Sequence, residues 1–252
     1  MPTPRFAKKV ALVTGGASGI GRACAVAFAR EGASVAVVDV NIALGHETVE
    51  EIRAAGGTAV FLRVDVSDAV AVERMVADTV MAFGRLDHAV NNAGIGGELN
   101  ATGDYSLDGW RRVIDVNLNG VFYCMRYQIP QMVKQGGGSI VNMASILGAV
   151  GFATASAYVA AKHGVLGLTQ SAALEYATKG IRVNSIGPAF IRTPMVTDAM
   201  DEATLGQIAG LHALGRLGEP EEVASLTTFL SSDEASFMTG GYYLVDGGYT
   251  AR

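Results

Sequence analysis

Tyr158 and Lys162 are four positions apart, and Ser145 precedes them within a stretch, Ser139–Lys162, that carries no charge before its final lysine. On a helix, residues at i and i+4 share one face. A phenol titrates near pH ~10 and is a poor base at neutral pH, but a neighbouring ammonium favours the phenolate and lowers that value. A serine hydroxyl beside them can hold a substrate oxygen. Together the three would form an acid–base site for interconverting an alcohol and a ketone. The Tyr-x-x-x-Lys spacing alone also fits two ordinary helix-surface residues, so this chemistry needs support from the rest of the chain.

Those residues need a scaffold. About 20 apolar residues in a row can span a bilayer, but Asn142, Ser145, Thr154, Ser156 and Tyr158 interrupt this run, and Gly148 and Gly151 would weaken a helix through it. The stretch parses instead as a buried strand, Ser139–Met143, a glycine-bearing turn, and a helix opening near Ser156 and running to about Ala177. Ser145 then stands at the carboxyl end of a strand, where open α/β sheets bind their ligands.

The remainder alternates in the same way. Further strands are expected at Val10–Thr14, Ser34–Asp39, Ala59–Val64, His88–Val90, Arg182–Ile186 and Tyr242–Val245. Helices are expected from the glycines after the first strand, then at Ile42–Ala55, Ala69–Phe83, Leu107–Ile114, Val116–Lys134 and Glu219–Leu230. Gly187–Pro194 should leave its strand as an irregular loop, followed by a helical lid over Met195–Leu214. Uninterrupted alternation implies a single α/β domain over residues 1–252, Rossmann-like and doubly wound, with a parallel sheet of about seven strands covered by helices on both faces. The lid, about residues 187–218, lies within it.

The first strand ends in Gly15-Gly16-Ala17-Ser18-Gly19-Ile20-Gly21. Glycines there allow a tight turn and close backbone approach, and amides at a helix N-terminus face an anion such as a pyrophosphate. The spacing is G-x-x-x-G-x-G rather than the G-x-G-x-x-G of the general dinucleotide fingerprint. Asp39 closes the second strand, where a carboxylate can bond a ribose 2′-hydroxyl and would repel a 2′-phosphate. Capping the next helix is its simpler role. Asp65-Val66 and Asn91-Asn92-Ala93-Gly94 end the next two strands on the same edge. Asn117 and Asn119 are polar in an apolar setting, where capping would account for either.

Composition narrows the partners. A net charge of −5 with no dense basic run argues against nucleic acid and anionic membranes. Cys24 and Cys124 show neither metal-ligand spacing nor a disulfide framework, and the four histidines are scattered, so no metal site is expected. Met1–Lys9 carries no apolar segment of the signal-peptide kind, so a cytoplasmic location is expected.

Taken jointly and in order, Thr14-Gly15-x-x-x-Gly19-x-Gly21, Asn91-Asn92-Ala93-Gly94, Asn117, Ser145, Tyr158 and Lys162 resemble the motifs of the short-chain dehydrogenase/reductase family, over essentially the whole chain. The resemblance implies that Tyr158 is the general acid/base and that Ser145 binds the carbonyl or hydroxyl. Lys162 would lower the Tyr158 pKa and hold the nicotinamide ribose, and Asn117 would support a water-linked proton path. Cofactor contacts would come from Gly15, Ser18, Gly19, Ile20 and Gly21, from Asp65 and Val66 beside adenine, from Asn92, and from Ile191 and Thr193 at the carboxamide. The resemblance also implies a homotetramer in which the last strand packs across a two-fold axis. One departure is visible. Pro188-Ala189 stands where the family usually has Pro-Gly, and alanine tolerates positive φ less well than glycine.

The leading expectation is an NAD-dependent dehydrogenase of secondary alcohols, reversible as a ketone reductase. Candidate pocket residues are Ile95, Gly96, Ile146, Leu147, Phe152, Phe190 and Met195, mostly apolar and suited to a hydrophobic or alicyclic alcohol. Two alternatives stand beside it. A 3-oxoacyl-thioester (acyl-carrier-protein) reductase would normally use NADPH, which Asp39 opposes. A catalytically silent NAD-binding regulatory module would not need an intact Ser-Tyr-Lys set.

Overall fold

The strands form where the sequence alternates between two cores. In β1 (Val10–Thr14) and β2 (Ser34–Asp39), Ala11, Val13, Val35 and Val37 face one core, while Leu12, Ala36 and Val38 face the other. That is the period-two signature of a sheet buried on both sides. In this computed structural model, which describes residues 4–251, the sheet is completed by β3 (Thr58–Arg63), β4 (His88–Asn91), β5 (Gly138–Met143), β6 (Ile181–Pro188) and β7 (Tyr242–Val245). All pairings are parallel, in the order β3-β2-β1-β4-β5-β6-β7. The fold is therefore the doubly wound α/β architecture read from the sequence.

Helices α1 (Gly19–Arg30), α2 (Ile42–Ala54) and α9 (Pro220–Ser231) cover one face. Helices α3 (Ala69–Phe83), α5 (Gly120–Lys134) and α6 (Ser156–Tyr176) cover the other. Three shorter helices complete the set: α4 (Leu107–Ile114), α7 (Pro194–Thr197) and α8 (Glu202–Leu211). Asn41, Asp68, Ser106 and Asp201 each cap the helix that follows, accepting from a first-turn N–H that has no intrahelical partner. Strand order reverses between β1 and β4, so the carboxyl ends of these strands and their neighbours open into one crevice. Among the described residues, no helix is long and apolar enough to cross a membrane.

Several expected bounds move by one residue, as at Thr58–Arg63, His88–Asn91, Gly138–Met143 and Pro220–Ser231, and three readings change further. The helices expected separately at Leu107–Ile114 and Val116–Lys134 are continuous. They are joined by a wide π turn, Asp115–Asn119, whose flanking residues all keep helical dihedrals. The lid is not one helix over Met195–Leu214, because Asp201 opens a new helix by accepting from Thr204 N–H at 2.8 Å. The strand expected to stop at Ile186 runs on to Pro188. It does so because β7 lies beside it, pairing Gly187 with Leu244 and Pro188 with Val245. Ala189 continues that path, donating its N–H to Val245 O at 3.1 Å without a positive φ, so the missing glycine costs the loop nothing.

Candidate active site

The glycine turn after β1 is closed to side chains. Gly15 and Gly19 have φ of +64° and +50°, a region that L-residues with a Cβ rarely occupy. A Cβ on Gly21 would lie 2.0 Å from Gly15 O, and one on Gly19 would lie 2.9 Å from Thr193 Cγ2. Asn92 holds the turn from the side, donating Nδ2–H to Thr14 O at 3.0 Å and Gly15 O at 3.3 Å. Asp39 holds it from the other, accepting from Ala17 N–H at 3.1 Å and from Asn41 N–H at 2.9 Å. Asn92 and Asp39 therefore shape the cradle as well as bordering it.

Beside the turn lies a cleft of about 490 Å³ whose walls include Gly15, Asp39, Asp65, Val66, Gly94 and Ile95. Ser18 precedes α1 as its cap residue without a side-chain hydrogen bond, and Ile20 packs into the core beneath. Asp65 turns its carboxylate toward Ser67, while Ile191 is buried where the chain enters the lid. Thr193 rests on Gly19, so the start of the lid touches the turn. A nicotinamide dinucleotide fits this donor set. Bare backbone at a helix N-terminus suits a pyrophosphate, and carboxylates at the strand ends suit ribose hydroxyls.

The acid–base residues come together at the end of β5. Ser145 is extended (φ −173°, ψ 163°), and its Oγ accepts from Leu147 N–H at 3.2 Å. The Ser145 hydroxyl is close enough to the Tyr158 phenol to favour its ionised form. Tyr158 and Lys162 lie one turn apart on α6, with the Lys162 Nζ 5.4 Å from the Tyr158 ring centroid. Lys162 is buried and donates to Met143 O at 2.7 Å. The expected lowering of the phenol by Lys162 is not what this arrangement gives. Burial pushes Tyr158 up, opposed by the neighbouring Ser145 hydroxyl, and burial also pushes the Lys162 ammonium down to about 8.

Asn117 sits in the π turn, fully buried, and is not a cap. Its Oδ1 accepts from Ile95 N–H and its Nδ2 donates to Ile95 O, each at 2.8 Å. Asn119 instead donates to Asp115. Ile95, fixed in this way, packs against the buried cluster of Val113, Ala157 and Ala161, as Tyr158 does. Of the expected pocket residues, Ile146 and Leu147 are buried in the turn after β5, whereas Phe152, Gly96 and Met195 are exposed. Phe152 and Phe190 face each other at 6.4 Å between ring centroids, and Phe190 in turn meets Tyr249 at 5.8 Å.

Sequence reading missed a buried amide network under the site. Asn91 Nδ2 donates to Asn142 Oδ1 at 2.9 Å, Gln128 Nε2 to Asn91 Oδ1 at 2.8 Å, and Asn142 Nδ2 to Thr169 Oγ1 at 3.0 Å. It locks β4 and β5 to α5 and α6, and Asn142 immediately precedes the Met143 carbonyl that holds Lys162. The signal available was an asparagine at or beside the carboxyl end of each of two largely apolar strands, since buried amides demand partners.

Comparison with known proteins gives the same frame. A family model described as enoyl-(acyl carrier protein) reductase matches residues 15–250. Cyclohexanol dehydrogenase of Acinetobacter sp. (strain SE19) is 51% identical over 248 residues, covering 98% of this chain and 97% of that protein. The chain belongs to the short-chain dehydrogenase/reductase family. A second member of the family, cis-4-hydroxycyclohexanecarboxylate dehydrogenase of Sinomonas cyclohexanicum, is 45% identical over 247 residues, with 98% of each chain covered. The crystal structure of levodione reductase superposes with a TM-score of 0.95 at 39% identity, covering 98% of this chain and 99% of that one. As a short-chain dehydrogenase/reductase, this protein is an oxidoreductase of CH–OH groups that works with a nicotinamide cofactor.

Proposed function

We propose that this protein oxidises an alicyclic secondary alcohol to its ketone, reversibly, with NAD as cofactor and Tyr158 as the general acid/base. The observation that carries the reading is the convergence of Ser145, at the end of β5, with Tyr158 and a buried Lys162 that lie one helical turn apart on α6. Nicotinamide, when bound, supplies hydride acceptance and donation. Ser145 orients the carbinol oxygen and Tyr158 takes or returns its proton, while Lys162 holds positive charge behind the phenol. Asn117 steadies Ile95 against the Tyr158 side of the site. The remaining cofactor contacts are assigned to Gly15, Ser18, Gly19, Ile20, Gly21, Asp39, Asp65, Val66, Asn92, Ile191 and Thr193. All of this lies in a single domain whose lid spans about residues 187–218.

Asp39 supports NAD over NADP. A 2′-phosphate would meet its carboxylate, and two unit charges about 4 Å apart repel by up to roughly 4 kcal/mol at an effective dielectric near 20. Ring substrates are supported by the relatives, whose names specify cyclohexane-ring alcohols, and by the aromatic wall of Phe152 and Phe190. The acyl-thioester alternative has no observation of its own in the site. Purified protein should oxidise cyclic secondary alcohols with NAD and work poorly with NADP. Turnover confined to polyols would remove the ring assignment, and equal efficiency with both cofactors would remove the role given to Asp39.

The assembly we infer is a homotetramer. Phe237 and Leu174 are 104% and 86% exposed on one chain, and β7 is an edge strand with Leu244 facing outward. Unpaired edges and large exposed apolar groups are what a closed symmetric assembly covers. Light scattering at micromolar concentration should give four times the chain mass; a mass of 26.1 kDa, that of one chain, refutes it.

A further inference from the structure

The last strand reaches the catalytic serine by a route that the acid–base residues do not reveal. Tyr242 opens β7, in register with Ser185 of β6. Its ring passes over Gly187, where a Cβ would lie 2.4 Å from the phenol oxygen, so only glycine leaves the path open. At the end of that path the Tyr242 hydroxyl donates to Ser145 O at 2.7 Å. Ser145 sits just beyond the last ladder bond of β5, the Ala144 N–H to Ile186 O contact at 2.8 Å. Past that point its carbonyl is held only from the side, by Gly148 N–H at 2.9 Å and by Tyr242. Holding the carbonyl fixes ψ of Ser145 and so the course of the turn whose Leu147 N–H holds the Ser145 hydroxyl at 3.2 Å.

We propose that Tyr242 is a positioning residue for the acid–base site, holding the Ser145 carbonyl so that the Ser145 hydroxyl stays aligned on Tyr158. The proposal rests on the reading that Ser145 and Tyr158 carry the proton transfer. Burial and the neighbouring Asp246 carboxylate push the Tyr242 phenol up to about 12, so it remains a donor through the working pH range. A phenol that merely satisfied its own hydrogen bond would stabilise the fold and leave the chemistry alone. The two roles separate in the pH profile. A Ser145 hydroxyl directed at Tyr158 favours the phenolate, so loosening Ser145 should move the acid limb of alcohol oxidation to higher pH.

The test compares Tyr242→Phe, Ser145→Ala and the double variant on cyclohexanol and NAD, with NAD affinity measured by calorimetry. Tyr242→Phe should lower kcat about 2- to 10-fold, the scale of one hydrogen bond, with unchanged NAD affinity and an acid limb displaced upward. In the Ser145→Ala background the same change should alter neither kcat nor the limb, since there is no hydroxyl left to align. Wild-type kcat and limb in Tyr242→Phe, or an equal loss in both backgrounds, overturns the proposal. Full activity in Ser145→Ala alone overturns the reading beneath it, which is a different result. Should Tyr242→Phe not fold, Gly187→Ala displaces the phenol instead and must give the same pH fingerprint.

Discussion

Tyr158→Phe is expected to lose at least about 10²-fold in turnover, the lower scale for removing a general acid–base group, while keeping its melting temperature and NAD affinity nearly unchanged. Only one hydroxyl is removed, and the ring still packs against Val113, Ala157 and Ala161. The pH dependence follows from the direction of the shift. Burial raises the Tyr158 phenol above its usual value near 10, so in the free protein it is protonated at neutral pH and ready to donate to a ketone. Alcohol oxidation needs the phenolate and should climb steadily from pH 7 toward 10, with ketone reduction favoured at the lower end. Near-wild-type turnover in the purified variant, or an oxidation rate flat across that range, would remove Tyr158 from the proton transfer.

Gly21→Ala should be the most damaging single methyl in the cofactor cradle. Its Cβ would stand 2.0 Å from Gly15 O and 2.6 Å from Asn92 Nδ2, and the first of these is backbone that cannot rotate away. The turn must open, which breaks the Asn92 hydrogen bonds to Thr14 O and Gly15 O and shifts the amides meant for a pyrophosphate. We expect NAD affinity to fall by at least about tenfold, the result of losing roughly 1.4 kcal/mol, together with a lower melting temperature. Calorimetric titration with NAD checks it. Wild-type affinity in a folded Gly21→Ala would mean that the dinucleotide does not lie against this turn.

Much of the scaffold could be read because parallel strands buried on both faces leave unbroken apolar runs. Val10–Thr14, Ser34–Asp39 and Tyr242–Val245 begin and end where the sequence says. What escaped reading depended on neighbours. Pro188 looks like a strand breaker, but it lies beside β7, so β6 extends two residues past Ile186. Asn117 looks like a cap because its partner, the main chain of Ile95, is 22 residues away. The lid break was legible in principle, since Asp201 and Thr204 have cap spacing, but the apolar residues on both sides masked it. In the site, residue identities were readable and their energetics were not. Lys162 spends its ammonium on a strand carbonyl, and no spacing rule announces that, nor the contact between Tyr242 and Ser145.

The π turn at Asp115–Asn119 has a meaning in terms of chain length. An α-helix advances by about 100° per residue, and a π turn accommodates one residue more per hydrogen-bonded ring than an α turn does. The surplus residue is absorbed there, so the residues that follow keep the phase that delivers Val121, Cys124, Gln128 and Met132 to the core. Removing one residue between 115 and 119 would leave a regular helix with α5 in nearly the same phase, but it would remove the bulge from which Asn117 reaches Ile95. A deletion within α5 itself has no such bulge to absorb it and would rotate the residues beyond it by about 100°, turning Gln128 away from Asn91. The turn is therefore the one stretch of this continuous helix where a change of one residue in length leaves the core side chains in place.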